Sequence, residues 1–290
     1  MEKLTFKNAL GQEVVFSAES KYRWLRVDDM GAGAAPQQVV SSPFQDGTSA
    51  VGDAYFEPRV VKVDLAIISE SISADIRSLN NILNPKVGIG SLTYEVDGAV
   101  RVLNKVKTRV LPSLPDGRSK GKTYQMTSII FEAFDPLYTD PAYTSVQLAT
   151  RANYFEFPID ITDGFEFDEL EAGGVTITNT GDVPAPLLAL FEGPLTAPLV
   201  LTKEETGEKI TLALNILADE RLEITSDDDN IDVRLRDTLS DTTISAFAYL
   251  DVANTDFFKL DVGDNTLTLT SDDPVVSIAT VKFKNRYVGV

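Results

Sequence analysis

The sequence contains no cysteine and no histidine, and it has a single tryptophan, Trp24. Without cysteine the chain has neither a disulfide framework nor thiolate metal ligands, so its stability has to come from packing or from contacts between subunits. Without histidine it lacks the side chain that titrates near neutral pH unaided and the commonest nitrogen ligand of metals. These two absences exclude most of the usual hydrolase and metalloenzyme sites.

Basic residues are few compared with acidic ones, with 26 Lys and Arg against 44 Asp and Glu, a net charge of −18. Nucleic-acid binding depends on clustered Lys and Arg that release condensed counterions, so we expect no direct nucleic-acid recognition. No run approaches the roughly 20 apolar residues of a membrane helix, and residues 1–8 lack the apolar core of a signal peptide. We therefore expect no membrane insertion, and synthesis in the cytoplasm.

The charge changes abruptly near residues 131–141, where a strand-like run ends in two Asp-Pro pairs. Up to Asp140 there are 17 acidic and 16 basic residues, a net of −1, whereas the rest holds 44 − 17 = 27 acidic and 26 − 16 = 10 basic residues, a net of −17. A chain of this length is typically about two domains. We predict domains at residues 1–145 and 146–290, with Glu171 as the latest position for their boundary.

Strands dominate the predicted secondary structure. Apolar residues alternate with polar ones over residues 61–67 and 100–110, which is typical of half-buried strands. Asp97-Gly98 separates residues 92–96 from residues 99–103, and this dipeptide is the strongest short-range signal for a two-residue hairpin. The two flanking strands should therefore be antiparallel neighbours.

A single helix is predicted over residues 71–83, where four apolar residues form one stripe: Ile72, Ile76, Leu79 and Leu83. Ser71 can cap the start of this helix, and Asn84-Pro85 ends it. Packing against its own sheet is the favoured interpretation of the stripe, and a subunit contact is the alternative.

Residues 31–52 are rich in Gly, Ser and Pro and have little periodicity. Segments of this length without regular structure are usually functional or mobile. We predict an extended arm or loop, which pairs with a neighbouring molecule rather than with its own domain. A second polar loop is predicted over residues 112–122.

After the charge border, short strands alternate with turns, which predicts an antiparallel β-sandwich and an all-β protein. The predicted strands are residues 175–178, 199–202, 210–212, 222–224, 266–269 and 275–283. The predicted turns are residues 179–182, 205–207, 226–230 and 263–265. An acidic patch precedes them and consists of Glu166, Asp168, Glu169 and Glu171.

Candidate chemical sites are weak. Residues 227–232, Asp-Asp-Asp-Asn-Ile-Asp, offer the oxygen ligands that calcium prefers, but they lack the glycine and the distal glutamate of an EF-hand, so a solvated acidic turn is favoured. Residues 31–33 and 88–90 are partial matches to a dinucleotide loop, and Glu166 with Asp168 is an uninformative carboxylate pair in so acidic a chain. We predict no catalytic, cofactor-binding or metal-binding residue and no cofactor.

A basic stripe is predicted on one strand. Alternation places its basic residues on the same face as Leu103, and places four valines on the opposite face. The basic residues are Arg101, Lys105, Lys107 and Arg109, and the valines are Val100, Val102, Val106 and Val110. A solvated sheet face is the favoured interpretation, and an interface that meets an acidic surface on a neighbouring subunit is the alternative.

Several short motifs follow one another along most of the chain. In the first half they are Tyr22-Arg23-Trp24-Leu25 with the Gly-rich loop, Phe44-Gln45-Asp46-Gly47, Arg59-Val60-Val61-Lys62-Val63, Leu83-Asn84-Pro85, Asp97-Gly98 and Phe134-Asp135-Pro136-Leu137-Tyr138. In the second half they are Asn179-Thr180-Gly181-Asp182, Thr206-Gly207-Glu208 and Leu260-Asp261-Val262-Gly263-Asp264-Asn265. In this order and spacing they resemble the distal tail protein (Dit) family of siphovirus-type bacteriophages.

The resemblance implies an N-terminal β-sandwich with one α-helix and an extended arm, which forms a hexameric ring continuing the tail tube, and an outward-facing galectin-like antiparallel β-sandwich. It implies a structural hub of the phage tail tip, without catalysis, that joins the tail tube to the baseplate and host-adsorption apparatus. The implied partners are further copies of the chain, the tail tube protein, a tail-tip hub or tail-associated protein, and a receptor-binding protein. The implied location is the virion tail tip, after assembly in the host cytoplasm.

A carbohydrate-binding adhesin is the alternative function, and an enzyme comes third. Galectin sugar sites need histidine and tryptophan, but this chain has no histidine and Trp24 lies in the other predicted domain. That sugar site therefore cannot be carried over. Tyr249, Phe257 or Phe258 could stack on a different sugar, although core packing is the more usual role of aromatic residues.

Overall fold

The computed structural model describes residues 2–31, 33–44, 46–149, 174–271 and 278–290. The chain forms two compact units, of which unit 1 contains Met1–Pro141 and Arg286–Val290 and unit 2 contains Ala142–Asn285. Unit 1 is thus assembled from both ends of the sequence. The predicted all-β fold is confirmed, with a single α-helix in the described part of the chain. None of the described helical segments is long and apolar enough to cross a bilayer.

The elements follow in chain order. The strands are β1 Lys3–Lys7, β2 Glu13–Ser17, β3 Tyr22–Asp28, β4 Gln38–Val40, β5 Ser49–Val51, β6 Arg59–Ile68, β7 Gly90–Val96, β8 Ala99–Val110, β9 Tyr124–Ala133, β10 Tyr138–Thr139, β11 Thr144–Ala149, β12 Val175–Asn179, β13 Ala185–Glu192, β14 Leu199–Lys203, β15 Lys209–Leu212, β16 Glu220–Asp227, β17 Asn230–Asp237, β18 Thr242–Ser245, β19 Lys259–Leu260, β20 Gly263–Ser271, β21 Ile278–Phe283 and β22 Arg286–Tyr287. The helix is α1 Ile72–Ile82, and short 3-10 helices lie at Pro85–Val87, Gly117–Ser119, Phe247–Tyr249 and Val252–Asn254.

Unit 1 is built on one antiparallel sheet with the strand order β2-β1-β7-β8-β9-β6-β3. The short strand β10 pairs with both β8 and β22, so the C-terminal strand joins this sheet. The sheet bends around one core, because Phe6 of β1 stacks on Phe131 of β9 with ring centres 5.0 Å apart although β7 and β8 lie between their strands. The alternation predicted for β6 is confirmed, since Val61, Val63 and Leu65 are all buried in this core.

The hairpin predicted at Asp97-Gly98 is confirmed. It joins β7 to β8 with Val96 paired to Ala99. Both turn residues have positive φ angles, 48° for Asp97 and 86° for Gly98. A two-residue turn of this type requires such angles at both positions, and Asp-Gly adopts them readily.

The predicted one-faced basic stripe on β8 is wrong because a β-bulge interrupts the strand. Lys105 has a φ of 53°, and the register with β7 gains one residue on β8 between Leu103 and Val106. Both of these apolar residues are fully buried, so the alternation reverses between them. Arg101 therefore lies on the core face of the sheet, whereas Lys107 lies on the opposite face.

The predicted helix is confirmed as α1, and its apolar stripe packs on its own unit. Leu79 is fully buried in the core of unit 1, and the half-buried Ile76 packs against the same core. Ser71 begins the helix, but its side chain makes no capping hydrogen bond. Its backbone carbonyl instead accepts a bond of 3.1 Å from the Ala74 N–H.

Unit 2 contains two antiparallel sheets, one with the order β11-β21-β13-β16-β17-β18 and one with the order β12-β20-β14-β15. Their inward-facing residues form one shared core, as in a β-sandwich. The predicted turn at residues 263–265 is wrong, because these residues begin β20 and pair with β12. The buried Asn265 side chain forms hydrogen bonds with the backbone of Asp261 at 2.8 Å and of Gly263 at 3.0 Å. The turn-like sequence thus forms a local side-chain-to-backbone bonded segment at the start of β20.

Candidate assembly interface

The arm of unit 1, predicted to end at Gly52, extends to the backbone bond between Glu57 and Ala34 and contains a β-hairpin. Strand β4 pairs with β5, and all six residues of the two strands are exposed. The arm also exposes large apolar side chains: Val39 at 56%, Val40 at 54%, Phe44 at 110%, Val51 at 50% and Tyr55 at 74%. A two-stranded hairpin is marginal by itself in water, and grouped exposed apolar residues are typical of surfaces that associate. Pairing of the arm with a neighbour stays a prediction.

Arg59 holds the base of the arm. Its side chain is 3% exposed, and its guanidinium donates hydrogen bonds to backbone carbonyls of three separate segments. Nε donates to Pro136 at 3.0 Å, Nη2 to Val288 at 2.7 Å, and Nη1 to Asp29 at 3.1 Å and to Gly31. One side chain therefore joins the start of the arm, the predicted border and the C-terminal segment.

Tyr138 supports the Arg59 guanidinium. The ring centre of Tyr138 lies 4.8 Å from the Arg59 Cζ atom, a cation–π contact. The Tyr138 hydroxyl donates to the Met30 carbonyl at 3.2 Å, which ties it to the same end of the arm. Burial raises the pKa of Tyr138 to about 12, so its phenol stays protonated over the physiological pH range.

The C-terminal strand is attached beside this cluster. Arg286 pairs with Asp135 at 2.7 Å, and the two side chains are only 16% and 14% exposed. The Arg101 guanidinium lies 3.8 Å from the ring centre of Tyr287 and also pairs with Asp140 at 3.1 Å. Arg101, which we predicted to lie in an exposed stripe, therefore anchors the C-terminal strand.

The basic surface left on β8 is small. Of the four predicted residues, Lys107 lies on the outer face beyond the bulge, and Arg109 lies at a second register shift, between Thr108 and Val110. Arg109 pairs with Glu132 of the neighbouring strand at 3.9 Å, and its side chain is 55% exposed. The interface interpretation is thereby restricted to this end of the strand.

In the predicted acidic turn at residues 227–232, only Asp228 and Asp229 connect β16 to β17, and the other residues belong to these two strands. Asp228 pairs with Lys259, and Asp232 pairs with Arg234, so two of its carboxylates have cationic partners. Within the described ranges no group of three or more acidic side chains could hold a metal ion. These contacts favour the solvated acidic turn. The acidic patch Glu166, Asp168, Glu169 and Glu171 lies outside the described residues.

The remaining candidates have structural roles. Gly90 begins β7 rather than a helix, which removes the dinucleotide-loop interpretation of residues 88–90. Phe258 is 2% exposed in the core of unit 2, and Phe257 packs against that core, so core packing is confirmed for both. Tyr249 is 42% exposed. The contacts of Arg59 could not be predicted from the sequence, because the acceptors of its hydrogen bonds are backbone carbonyls.

Residues 180–287, which include most of unit 2, match a family described as a siphovirus-type tail component, C-terminal domain. The fold matches the crystal structure of the Dit protein of phage SPP1 with a TM-score of 0.69 over 98% of each chain, at 12% sequence identity. The C-terminal part of the chain thus matches the siphovirus-type tail component family, and the whole chain shares the fold of SPP1 Dit. The SPP1 Dit structure is described as a paradigm of the hub adsorption apparatus in phages that infect Gram-positive bacteria.

The fold of this chain is also similar to chains of the phage p2 baseplate in its activated conformation. The structure with strontium matches with a TM-score of 0.56 and the structure with calcium with a TM-score of 0.58, each at 12% identity over 100% of both chains. At such low identity these structures show the fold alone. No curated protein sequence matches the chain.

Proposed function

We propose that this chain is a tail protein of the Dit family, which assembles into a hexameric ring at the tail tip, a hub that joins the tail tube to the baseplate and host-adsorption apparatus. The observation that carries the proposal is the β4–β5 hairpin, which presents apolar side chains to solvent from a base fixed by Arg59. The family match and the description of SPP1 Dit as a hub support it. Residues 1–145 form the ring in this proposal, together with the C-terminal segment Arg286–Val290 that belongs to unit 1, and the rest of residues 146–290 faces outward.

The arm favours a ring over a closed dimer. An arm that docks on a different surface of the next copy makes a head-to-tail contact, and such contacts close into rings when the rotation allows it. Val39, Val40 and Phe44 supply apolar area for this contact. Asp46 and Asp53 give the arm negative charge that complements Lys107 and Arg109 on the next copy.

The uneven charge fits the same arrangement. The first 140 residues carry a net of 16 − 17 = −1, as suits a domain buried in subunit contacts, and the remainder carries a net of −17, as suits a surface in solvent. The proposed partners are further copies of the chain, the tail tube protein, a tail-tip hub or tail-associated protein and a receptor-binding protein. The role is structural and involves no catalysis.

Light scattering tests the ring. We expect a particle of roughly 190 kDa, six times the 31.6 kDa chain, as cyclic assembly of six copies requires. Val39→Ser combined with Val40→Ser should reduce assembly without changing the unfolding temperature, since both side chains are exposed in the single chain. Leu239→Ser, at a 79% exposed position of unit 2, is the matched control. A chain that is monomeric at every concentration, or that assembles equally well with the arm substitutions, would contradict the proposal.

A carbohydrate-binding role is the second candidate, and one feature of unit 2 favours it. An open depression of about 280 Å³ is lined by Tyr143, Thr225, Asn230, Asp232 and Arg234 among others. An exposed aromatic ring beside hydroxyl, amide and carboxylate groups is the usual chemistry of a sugar site. Binding to a glycan array that is lost in Tyr143→Ala would support this role, and absence of binding to every glycan on the array would contradict it.

A further inference from the structure

We propose that the C-terminal segment Arg286–Val290 fixes the position of the arm through Arg59, so that the arm is held in place only while this segment is docked in unit 1. Arg59 acts as a positioning residue in this scheme. The contacts lie within one chain, and only their consequence for ring closure rests on the proposed function.

The guanidinium couples the two segments geometrically. Its donors lie in one rigid plane, so they cannot move independently of one another. Nη2 donates to Val288 at 2.7 Å, while Nη1 donates to Asp29 at 3.1 Å and to Gly31. A displacement of the Val288 carbonyl therefore reorients the donors that hold the first residues of the arm.

The guanidinium has little room to reorient without these partners. It is buried against the Tyr138 ring, and a buried charge is costly unless its donors are satisfied. Gly33 lies so close that a Cβ atom there would come within 3.2 Å of Arg59 Nη2. The arm thus touches the guanidinium directly, both by hydrogen bonds and by close packing.

The base of the arm is narrow, which makes its position sensitive to these contacts. The Glu57 N–H donates to the Ala34 carbonyl at 3.0 Å and closes the arm two residues before Arg59. Beyond this closure, β4 pairs with β5, and both strands belong to the arm. The direction in which the hairpin leaves unit 1 is therefore set at residues 29–34, where Arg59 acts.

The C-terminal segment is positioned independently of the arm. Tyr287 pairs with Tyr138 in the sheet and stacks on Arg101, and Arg286 pairs with Asp135. These contacts place Val288 whether or not the arm is ordered. A chain clipped after Tyr287 would therefore present a loose arm, whereas loss of the arm would leave Arg286 and Tyr287 held by these other contacts. A pre-ordered arm binds more tightly because less conformational entropy is lost on association.

Hydrogen exchange of the monomeric full chain, at concentrations too low for assembly, tests the coupling. We compare Arg59→Lys, deletion of residues 288–290, and the two changes combined. The amide of Glu57, whose bond to the Ala34 carbonyl closes the base of the arm, should exchange about tenfold faster in each single variant, as for a locally loosened segment. Both changes break the same connection between the C-terminal segment and the arm. The exchange rate in the combined variant should therefore increase as much as in either single variant, and not by the product of the two increases.

Deletion of Val290 alone is the matched control, since it shortens the chain while keeping the Val288 carbonyl, and exchange in the arm should not change. Arg59→Lys keeps the charge, so it tests the idea even if the deletion prevents folding. Unchanged arm exchange, multiplicative effects, or an equal increase throughout β6 and β9 would overturn the proposal. Exchange in the monomer does not depend on ring formation, so its failure and the failure of the proposed hexamer are distinguishable.

Discussion

The ammonium of Lys203 lies 2.5 Å from Oδ2 of Asp261, and the Lys203 side chain is only 2% exposed. The same ammonium donates to the Lys259 carbonyl at 3.1 Å, while the carboxyl of Asp261 is 59% exposed. A buried cation thus ties the end of β14 to β19 and to the segment before β20. The lysine is the desolvated partner of this pair, and its removal leaves no buried charge behind.

Lys203→Met should therefore destabilise unit 2 moderately, by about 1–3 kcal/mol, because it keeps the packed methylenes and loses charge-assisted hydrogen bonds. Chemical unfolding followed by circular dichroism measures the change. Lys7→Met is the control, since Lys7 and Glu13 form an exposed ion pair, and it should cost less than about 1 kcal/mol. Equal losses in the two variants would contradict the role of Lys203.

The bulge on β8 predicts an unusual response to glycine. Lys105 has a φ of 53°, where a side chain is strained and glycine is not. Lys105→Gly should be neutral or stabilise unit 1 by up to about 1 kcal/mol, whereas Lys105→Val should destabilise it by about 1–2 kcal/mol. At Lys107, an ordinary strand position, glycine should cost about 0.5–1 kcal/mol. Unfolding measurements that find glycine equally costly at both positions would argue against the bulge.

Tyr138 predicts a loss of stability in alkali. Burial raises its folded-state pKa to about 12, above the value of about 10 expected in the unfolded chain, so folding favours the protonated phenol. Its contribution, at most about 2–3 kcal/mol, is complete below pH 10 and is lost as the pH rises from 10 through 12.

Urea unfolding between pH 8 and pH 12 tests this contribution. Tyr138→Phe should flatten the decline without abolishing it, because burial also raises the pKa values of Tyr22 and Tyr94. Tyr55→Phe, at a side chain that is 74% exposed, should leave the decline unchanged. A parallel decline in the parent chain and in Tyr138→Phe would refute the assignment to Tyr138.

Because Asp135 and Arg286 form an ion pair, substitutions of the two residues should have non-additive effects on the free energy of unfolding. Asp135→Ala leaves the Arg286 cation, only 16% exposed, without its carboxylate, which typically costs about 3 kcal/mol. Replacement of both residues, with Arg286→Met added, should cost less than the sum of the single changes. A double-mutant cycle by chemical unfolding measures this coupling, and strict additivity would show that the pair contributes nothing.

The parts of the fold that the sequence predicted depend on local chemistry. Asp97-Gly98 indicates its hairpin because both residues accept positive φ, and the stripe of α1 is visible because helical spacing places Ile76 and Leu79 on one face. The reversal at Lys105 was missed because lysine carries no signal for a left-handed backbone. It moved Arg101 from a supposed exposed stripe to the core face of the sheet.

The candidate interface was only partly visible in the sequence. The arm was predicted from breaker residues, and its hairpin was not, because strands of three residues give too short a pattern to recognise. The contacts of Arg59 were invisible, since every residue has a carbonyl and sequence cannot say which ones converge. The pairing of β22 with β10 joins Tyr287 to Tyr138. These residues lie so far apart along the chain that no local sequence pattern could predict their contact.

That pairing has a consequence for the order of folding. Tyr287 also bonds Asp140 across a sequence separation of 147 residues, and closing so long a loop is entropically slow. Within unit 2, however, β11 pairs with β21 and brings Thr144 beside Phe283. Once unit 2 has folded, the loop that remains is only a few residues long, and its closure costs about 2–3 kcal/mol less. Unit 2 should therefore fold first and act as the template on which the sheet of unit 1 is completed.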